Sequence, residues 1–118
     1  LKTLFDEGVP DDLIEYLPGH DVSTSKMMGW KGIKNGKLLA LVETANFEAF
    51  ITNDKRMGTQ QHLRNRPFTT LVLSALNWPV IKPHVGKIAE ALDKCMPGTV
   101  TKVECGRFVP TKYRKPPL

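Results

Sequence analysis

Three acidic residues follow short apolar runs in this chain: Asp6 and Glu7 after residues 2–5, and Asp54 after residues 47–52. Carboxylates at the ends of neighbouring parallel strands, ~4.8 Å apart, are placed to share one ion. Hard Mg²⁺ or Mn²⁺ suits them, because such an ion takes one or two carboxylates, keeps several waters and accepts a substrate phosphate oxygen. It activates water and neutralises charge on a phosphodiester under attack. The same spacing also has a structural reading, since acidic residues after strands are often solvated or cap helices.

Basic and amide side chains crowd the same segments. Lys34, Lys37, Lys55, Arg56, Arg64 and Arg66 are interspersed with Asn53, Gln60, Gln61 and His62. Beside a carboxylate site they would hold a phosphate backbone; away from one they form a solvated basic loop. His62 is a further candidate for phosphate contact or proton transfer. Trp30 and Phe68 have faces on which bases stack, but core packing is the expectation for both.

The elements that must position these groups follow from two alternating residue periods, the pattern of βα units. Strands are expected at 2–5, 20–24, 47–52, 69–73 and 99–105. Residues 69–73 are continuously apolar or β-branched, as in a strand covered on both faces. Helices are expected from Pro10 to the Pro18-Gly19 stop, from Asn35 to Ala45 with Asn46 closing it, and over 80–95 as the longest, with Pro83 in its first turn or in the segment just before it. A short helix is expected around 59–63. These elements imply an α/β fold with a mainly parallel, doubly wound five-stranded sheet. Strand order 2-1-3-4-5 puts the switch point between the first and third strands, where such sheets bind ligands beyond their carboxyl ends.

A length of 118 residues suits one domain. It is expected to span 1–105 and to be followed by a basic, proline-rich tail at 106–118. The 41% hydrophobic and 25% charged composition excludes a disordered or membrane-embedded chain. No apolar run approaches the ~18–20 residues of a membrane span, and without a leader-like start the expected location is cytoplasmic. Cys95 and Cys105 fit neither a disulfide framework nor a metal cluster and read as buried or idle thiols. A net charge of +5 favours an anionic partner.

The run Phe5-Asp6-Glu7-Gly8-Val9-Pro10, then Gly29-Trp30, then Lys34-Asn35-Gly36-Lys37-Leu38-Leu39-Ala40, then Phe50-Ile51-Thr52-Asn53-Asp54-Lys55 resembles the PIN-like superfamily. Within it, the chain looks like a branch of small bacterial PIN-like proteins, which Gln60-Gln61-His62-Leu63 and Leu71-Val72-Leu73-Ser74 also fit. The resemblance covers residues 1–105. It implies a three-layer, flavodoxin-like α/β/α sandwich and, in active relatives, cleavage of RNA dependent on Mg²⁺ or Mn²⁺. Many relatives are toxins of toxin–antitoxin modules, which implies RNA, an antitoxin-like protein and a second copy of the chain as partners.

By that resemblance Asp6 is the family's first aspartate, Asp54 its Thr-x-Asp aspartate, and Glu7 the acidic neighbour found in this branch. Asp6, Glu7 and Asp54 are the expected catalytic set, and Asp6, Asp54 and Asn35 the expected metal ligands. Asn35 stands where PIN domains usually carry a further acidic residue. It offers a carbonyl oxygen without charge, which weakens a hard-cation site. A catalytically depleted module that binds RNA or a protein is therefore the alternative function. A third is a phospho-accepting receiver-like domain with Asp54 as acceptor and Ser74 and Lys102 as accessory groups. Against it, Asp54 is followed by Lys55-Arg56 rather than by an apolar-proline turn.

Overall fold

The computed structural model describes residues 1–59, 63 and 66–106. Five strands, β1 (Lys2–Phe5), β2 (Asp21–Thr24), β3 (Ala49–Thr52), β4 (Thr69–Leu73) and β5 (Val100–Val103), form one sheet in the order β2-β1-β3-β4-β5. All neighbouring pairs are parallel, and the register aligns Phe5 with Thr24 and with Ile51, Ile51 with Leu71, and Leu71 with Thr101. Strand order and orientation are those expected from the sequence. Every residue of β3 and β4 is buried, which explains their near-continuous apolar and β-branched character.

Side chains alternate between the two faces, and each face has its own core. Phe5, Ala49, Ile51, Leu71, Leu73 and Val103 face one way, toward Leu13, Leu17, Ile81, Ile88 and Leu92. Leu4 and Phe50 face the other way, against Leu38, Leu39, Val42, Phe47 and Phe68. The helix α1 (Asn35–Thr44) thus covers one face, while α3 (Val85–Lys94) and a 3₁₀ helix at Asp11–Tyr16 cover the other. The result is a three-layer sandwich with both sheet faces dry.

Several elements depart from expectation for identifiable reasons. The segment after Pro10 is a six-residue 3₁₀ helix. It runs between an extended Pro10 and the Pro18-Gly19 turn. The long helix expected at 80–95 is broken into α2 (Trp78–Ile81), a 3₁₀ turn (Lys82–His84) and α3. Pro83 sits at the break, where it has no N–H to donate and its ring crowds the preceding turn. The last strand stops at Val103, because Cys105 N donates to Ser74 Oγ (2.7 Å) instead of extending the ladder. A 3₁₀ helix occupies Lys55–Thr59; most of the helix expected at 59–63 lies outside the described residues.

Both cysteines are free, Cys105 buried and Cys95 half-buried. Burial pushes both thiols above their ordinary pKa, so they are poor nucleophiles. No helix among the described residues is long and apolar enough to cross a membrane.

Candidate functional site

The carboxyl ends of β1 and β3 are joined by their backbone and then by their side chains. Asp6 N donates to Ile51 O at 2.9 Å, the last rung between the two strands. The chain then turns away, with Val9 N on Asp6 O (3.0 Å) and Glu7 N on Asp6 Oδ1 (2.9 Å). Thr52 Oγ1 donates to the other carboxylate oxygen, Asp6 Oδ2, at 2.7 Å, and accepts from Asp54 N at 3.1 Å. One fully buried hydroxyl therefore connects Asp6 to the start of the Asp54 turn. With a donor on each oxygen, the Asp6 carboxylate is held in one orientation and still keeps lone pairs for another partner.

Asn53, between Thr52 and Asp54, fastens the same turn to the loop after β1. Its Nδ2 donates to Gly8 O at 2.6 Å. A Cβ at position 8 would lie 2.6 Å from Asn53 Oδ1, so the close approach of the two loops requires glycine there. Glu7 points its Oε2 to Gly32 N (3.1 Å), which ties the acidic pair to the segment preceding α1.

Asp54 meets a cation from its own turn. Arg56 N and Nε donate to Asp54 Oδ1 at 3.0 and 3.1 Å, and Arg56 Nη2 donates to Oδ2 at 3.1 Å. The Arg56 side-chain hydrogen bond holds the Asp54 carboxyl below its usual pKa, burial opposes that, and the Arg56 N–H and the charges of Arg56 and Lys34 reinforce it. Asp54 is therefore an anion through the whole neutral range.

Asp6, Glu7, Gly8, Lys34, Leu38, Asn53, Asp54, Arg56 and Met57 line one cavity of about 180 Å³ at the β1–β3 switch point. The structure thus brings together all three expected carboxylates with two of the expected phosphate-binding residues. Larger open crevices adjoin it on either side. One, beside β2, adds Lys26 and Lys31 to Asp6 and Glu7. The other, toward β4, joins Lys55 to Asn53 and Asp54.

Other expected site residues fall elsewhere. Lys37 is exposed on α1 and is not part of the cavity wall. Arg66 Nη1 donates to Glu43 Oε1 at 3.2 Å, which anchors it to α1 rather than to the switch point. Asn35 is the first residue of α1, and only its backbone is described. Gln61, His62 and Arg64 lie outside the described residues. Trp30 packs edge-on against Phe47, and Phe68 is buried edge-on against Phe50, so both rings belong to the core. Ser74 Oγ donates to Glu104 Oε1 (3.2 Å) and accepts from Cys105 N; Ser74 shares the crevice toward β4 with Asp54, and with Lys102 and Lys55 it lines another between β4 and β5.

Among the described residues no group of three or more histidine, cysteine, aspartate or glutamate side chains is arranged to hold a metal. The donors at the switch point suit a hard divalent ion in its sparser mode, in which one or two carboxylates hold it and water completes the shell. Asp6 would serve as it stands, and Asp54 once Arg56 leaves its oxygens.

Four contributors were not singled out as site residues: the Thr52 hydroxyl, the Gly8–Asn53 contact, the Gly32 amide, and Lys26 with Lys31. Gly8 and Gly32 carried a signal, since a glycine beside an acidic pair or in a turn marks a close backbone approach. Lys26 and Lys31 carried none.

No protein-family model, curated protein or solved structure matches this chain.

Proposed function

We propose that this protein is a divalent-metal-dependent ribonuclease of PIN-like type, with its site at the β1–β3 switch point. The observation that carries this reading is the hydroxyl bridge: Thr52 joins Asp6 to the Asp54 turn at one small cavity walled by both carboxylates. Asp6 and Asp54 would hold Mg²⁺ or Mn²⁺, which when bound supplies an activated water and neutralises phosphodiester charge. Thr52 and the Glu7 amide fix the Asp6 carboxylate, so little reorganisation is needed when charge arrives. Glu7 beside Asp6 is placed to orient a water or accept its proton. Lys34 on the cavity wall, with Lys26, Lys31 and Lys55 in the adjoining crevices, would carry the neighbouring phosphates.

The test is cleavage of a mixed RNA panel with and without Mn²⁺. The expected result is Mn²⁺-dependent cleavage that disappears in the Asp6→Asn/Asp54→Asn double variant. Equal activity of the two proteins would end this reading.

A second reading, a non-enzymatic module that binds RNA or a protein partner, is favoured by the engagement of both Asp54 oxygens by Arg56. Asn35 in place of an acidic residue points the same way. No binding of Mg²⁺ or Mn²⁺ at millimolar concentration, together with retained RNA binding, would select it.

A further inference from the structure

Arg56 lies where a ligand cation and an anionic substrate would each need something from it. Its fork takes both oxygens of Asp54, the carboxylate assigned to the metal. The same fork geometry matches a phosphate bidentately. Its side chain is 84% exposed against 31% for Asp54, so solvent reaches the guanidinium more readily than the carboxylate. It also shares the cavity wall with Lys34, the residue best placed to meet a phosphate there.

From this geometry we infer that Arg56 changes partner during loading of the site: it neutralises Asp54 in the empty protein, yields that carboxylate to the incoming divalent ion, and then grips the RNA phosphate beside it. The inference rests on the metal site proposed above and assigns to Arg56 the coupling between metal and RNA.

The exchange breaks the two side-chain bonds from Arg56 to Asp54 and leaves a third bond between the same residues in place. The Arg56 backbone N–H donates to Asp54 Oδ1 independently of the guanidinium. An ionised carboxylate oxygen has room for that amide and one further partner. The turn therefore stays closed, and the Arg56 Cα keeps its place, when the two side-chain bonds break. Asp54 exchanges one cation for another and is never left without a counter-charge. The released guanidinium remains within its own length of the cavity, where the Lys34 charge already favours an anion.

Two consequences follow, and they have opposite signs. Arg56 competes with the metal when RNA is absent, so its removal tightens metal binding. It assists when RNA is present, so its removal weakens the mutual enhancement of metal and RNA. Coupling of this kind is reciprocal: whatever factor RNA adds to metal affinity, metal adds to RNA affinity. A residue that merely stabilised the turn would weaken both.

The experiment uses the full chain, with Mn²⁺ binding followed by electron paramagnetic resonance and binding of a fluorescent phosphorothioate RNA by anisotropy. Wild type, Arg56→Gln and Arg56→Lys are compared. Because Arg56 is exposed, the variants are expected to fold, and circular dichroism checks this. Without RNA, Arg56→Gln should bind Mn²⁺ about 1.4- to 5-fold more tightly, the range expected on losing an exposed ion pair. With RNA, the Mn²⁺-dependent gain in RNA affinity should be smaller in Arg56→Gln than in wild type. Arg56→Lys, which keeps the charge but loses the fork, should fall between the other two.

Unchanged Mn²⁺ binding in Arg56→Gln, or an undiminished gain with RNA, would overturn the exchange and leave the metal site intact. Weaker Mn²⁺ binding in Arg56→Gln would overturn it too, by showing that Arg56 supports the site. Absence of Mn²⁺ binding in both wild type and Arg56→Gln would overturn the exchange together with the nuclease reading.

Discussion

Thr52 Oγ1 lies 2.7 Å from Asp6 Oδ2, a contact between residues 46 apart in sequence that exists because β1 and β3 are neighbours in the sheet. The hydroxyl is fully buried and has donor and acceptor partners, so it is both a structural clamp and the group that aims Asp6. Thr52→Val keeps the shape and removes both bonds. It should destabilise the fold by about 1–2 kcal/mol, as for a buried polar group deprived of its partner. Thr52→Ser should retain most of the stability. Urea denaturation of the three proteins measures this, and Thr52→Val as stable as wild type would contradict the clamp.

Gly8→Ala tests the packing of the two acidic loops. The new Cβ would lie 2.6 Å from Asn53 Oδ1, in a side chain that is 7% exposed and bonded to Gly8 O. The Asn53 amide has to shift, which disturbs its bond to Gly8 O. A loss of about 1–3 kcal/mol is expected, the range for forcing an extra methyl into a packed site. A variant as stable as wild type would mean that the loops have slack.

The pH dependence of Asp54 has a definite sign. Its folded pKa is lowered, chiefly by the Arg56 side chain, so it binds its proton less readily folded than unfolded. Its contribution to stability is complete above the ordinary aspartate value of about 3.9 and disappears as pH falls through the lowered one. Carboxyl-carbon NMR titration should give a midpoint below that ordinary value, moving upward in Arg56→Gln. A midpoint that does not respond to Arg56→Gln would show that the ion pair does not persist in solution.

Asn46 ends α1 with φ of 62°, in the left-handed region that asparagine and glycine tolerate. Asn46→Gly should be close to neutral, and Asn46→Val should cost about 1–2 kcal/mol through backbone strain. Thermal denaturation distinguishes them, and equal melting temperatures would show that the helix can end differently.

The parts of this molecule legible in its sequence are those with a local cause. Thr69–Leu73 reads as a buried central strand because both of its faces are covered. The α1 boundaries were clear from the spacing of its leucines and from Asn46. Pro83 reads as part of the first turn of the 80–95 helix or of the segment just before it, and it lies in the 3₁₀ turn immediately before α3. The meeting of Asp6 with Asp54 was legible through strand order; the Thr-x-Asp pattern pointed to Asp54 and gave Thr52 no role. What the chain did not disclose is which cation each anion would choose. Arg66 reaches Glu43 on α1, while Arg56 turns back on Asp54, and these choices depend on the tertiary placement of long side chains.

The most direct test of the site is a crystal of the protein soaked in Mn²⁺ and measured for anomalous scattering. The account predicts a single peak in the switch-point cavity, about 2.1 Å from oxygens of both Asp6 and Asp54, with the Arg56 guanidinium displaced from Asp54. A cavity without a peak at saturating Mn²⁺, with Arg56 still forked onto Asp54, would contradict it.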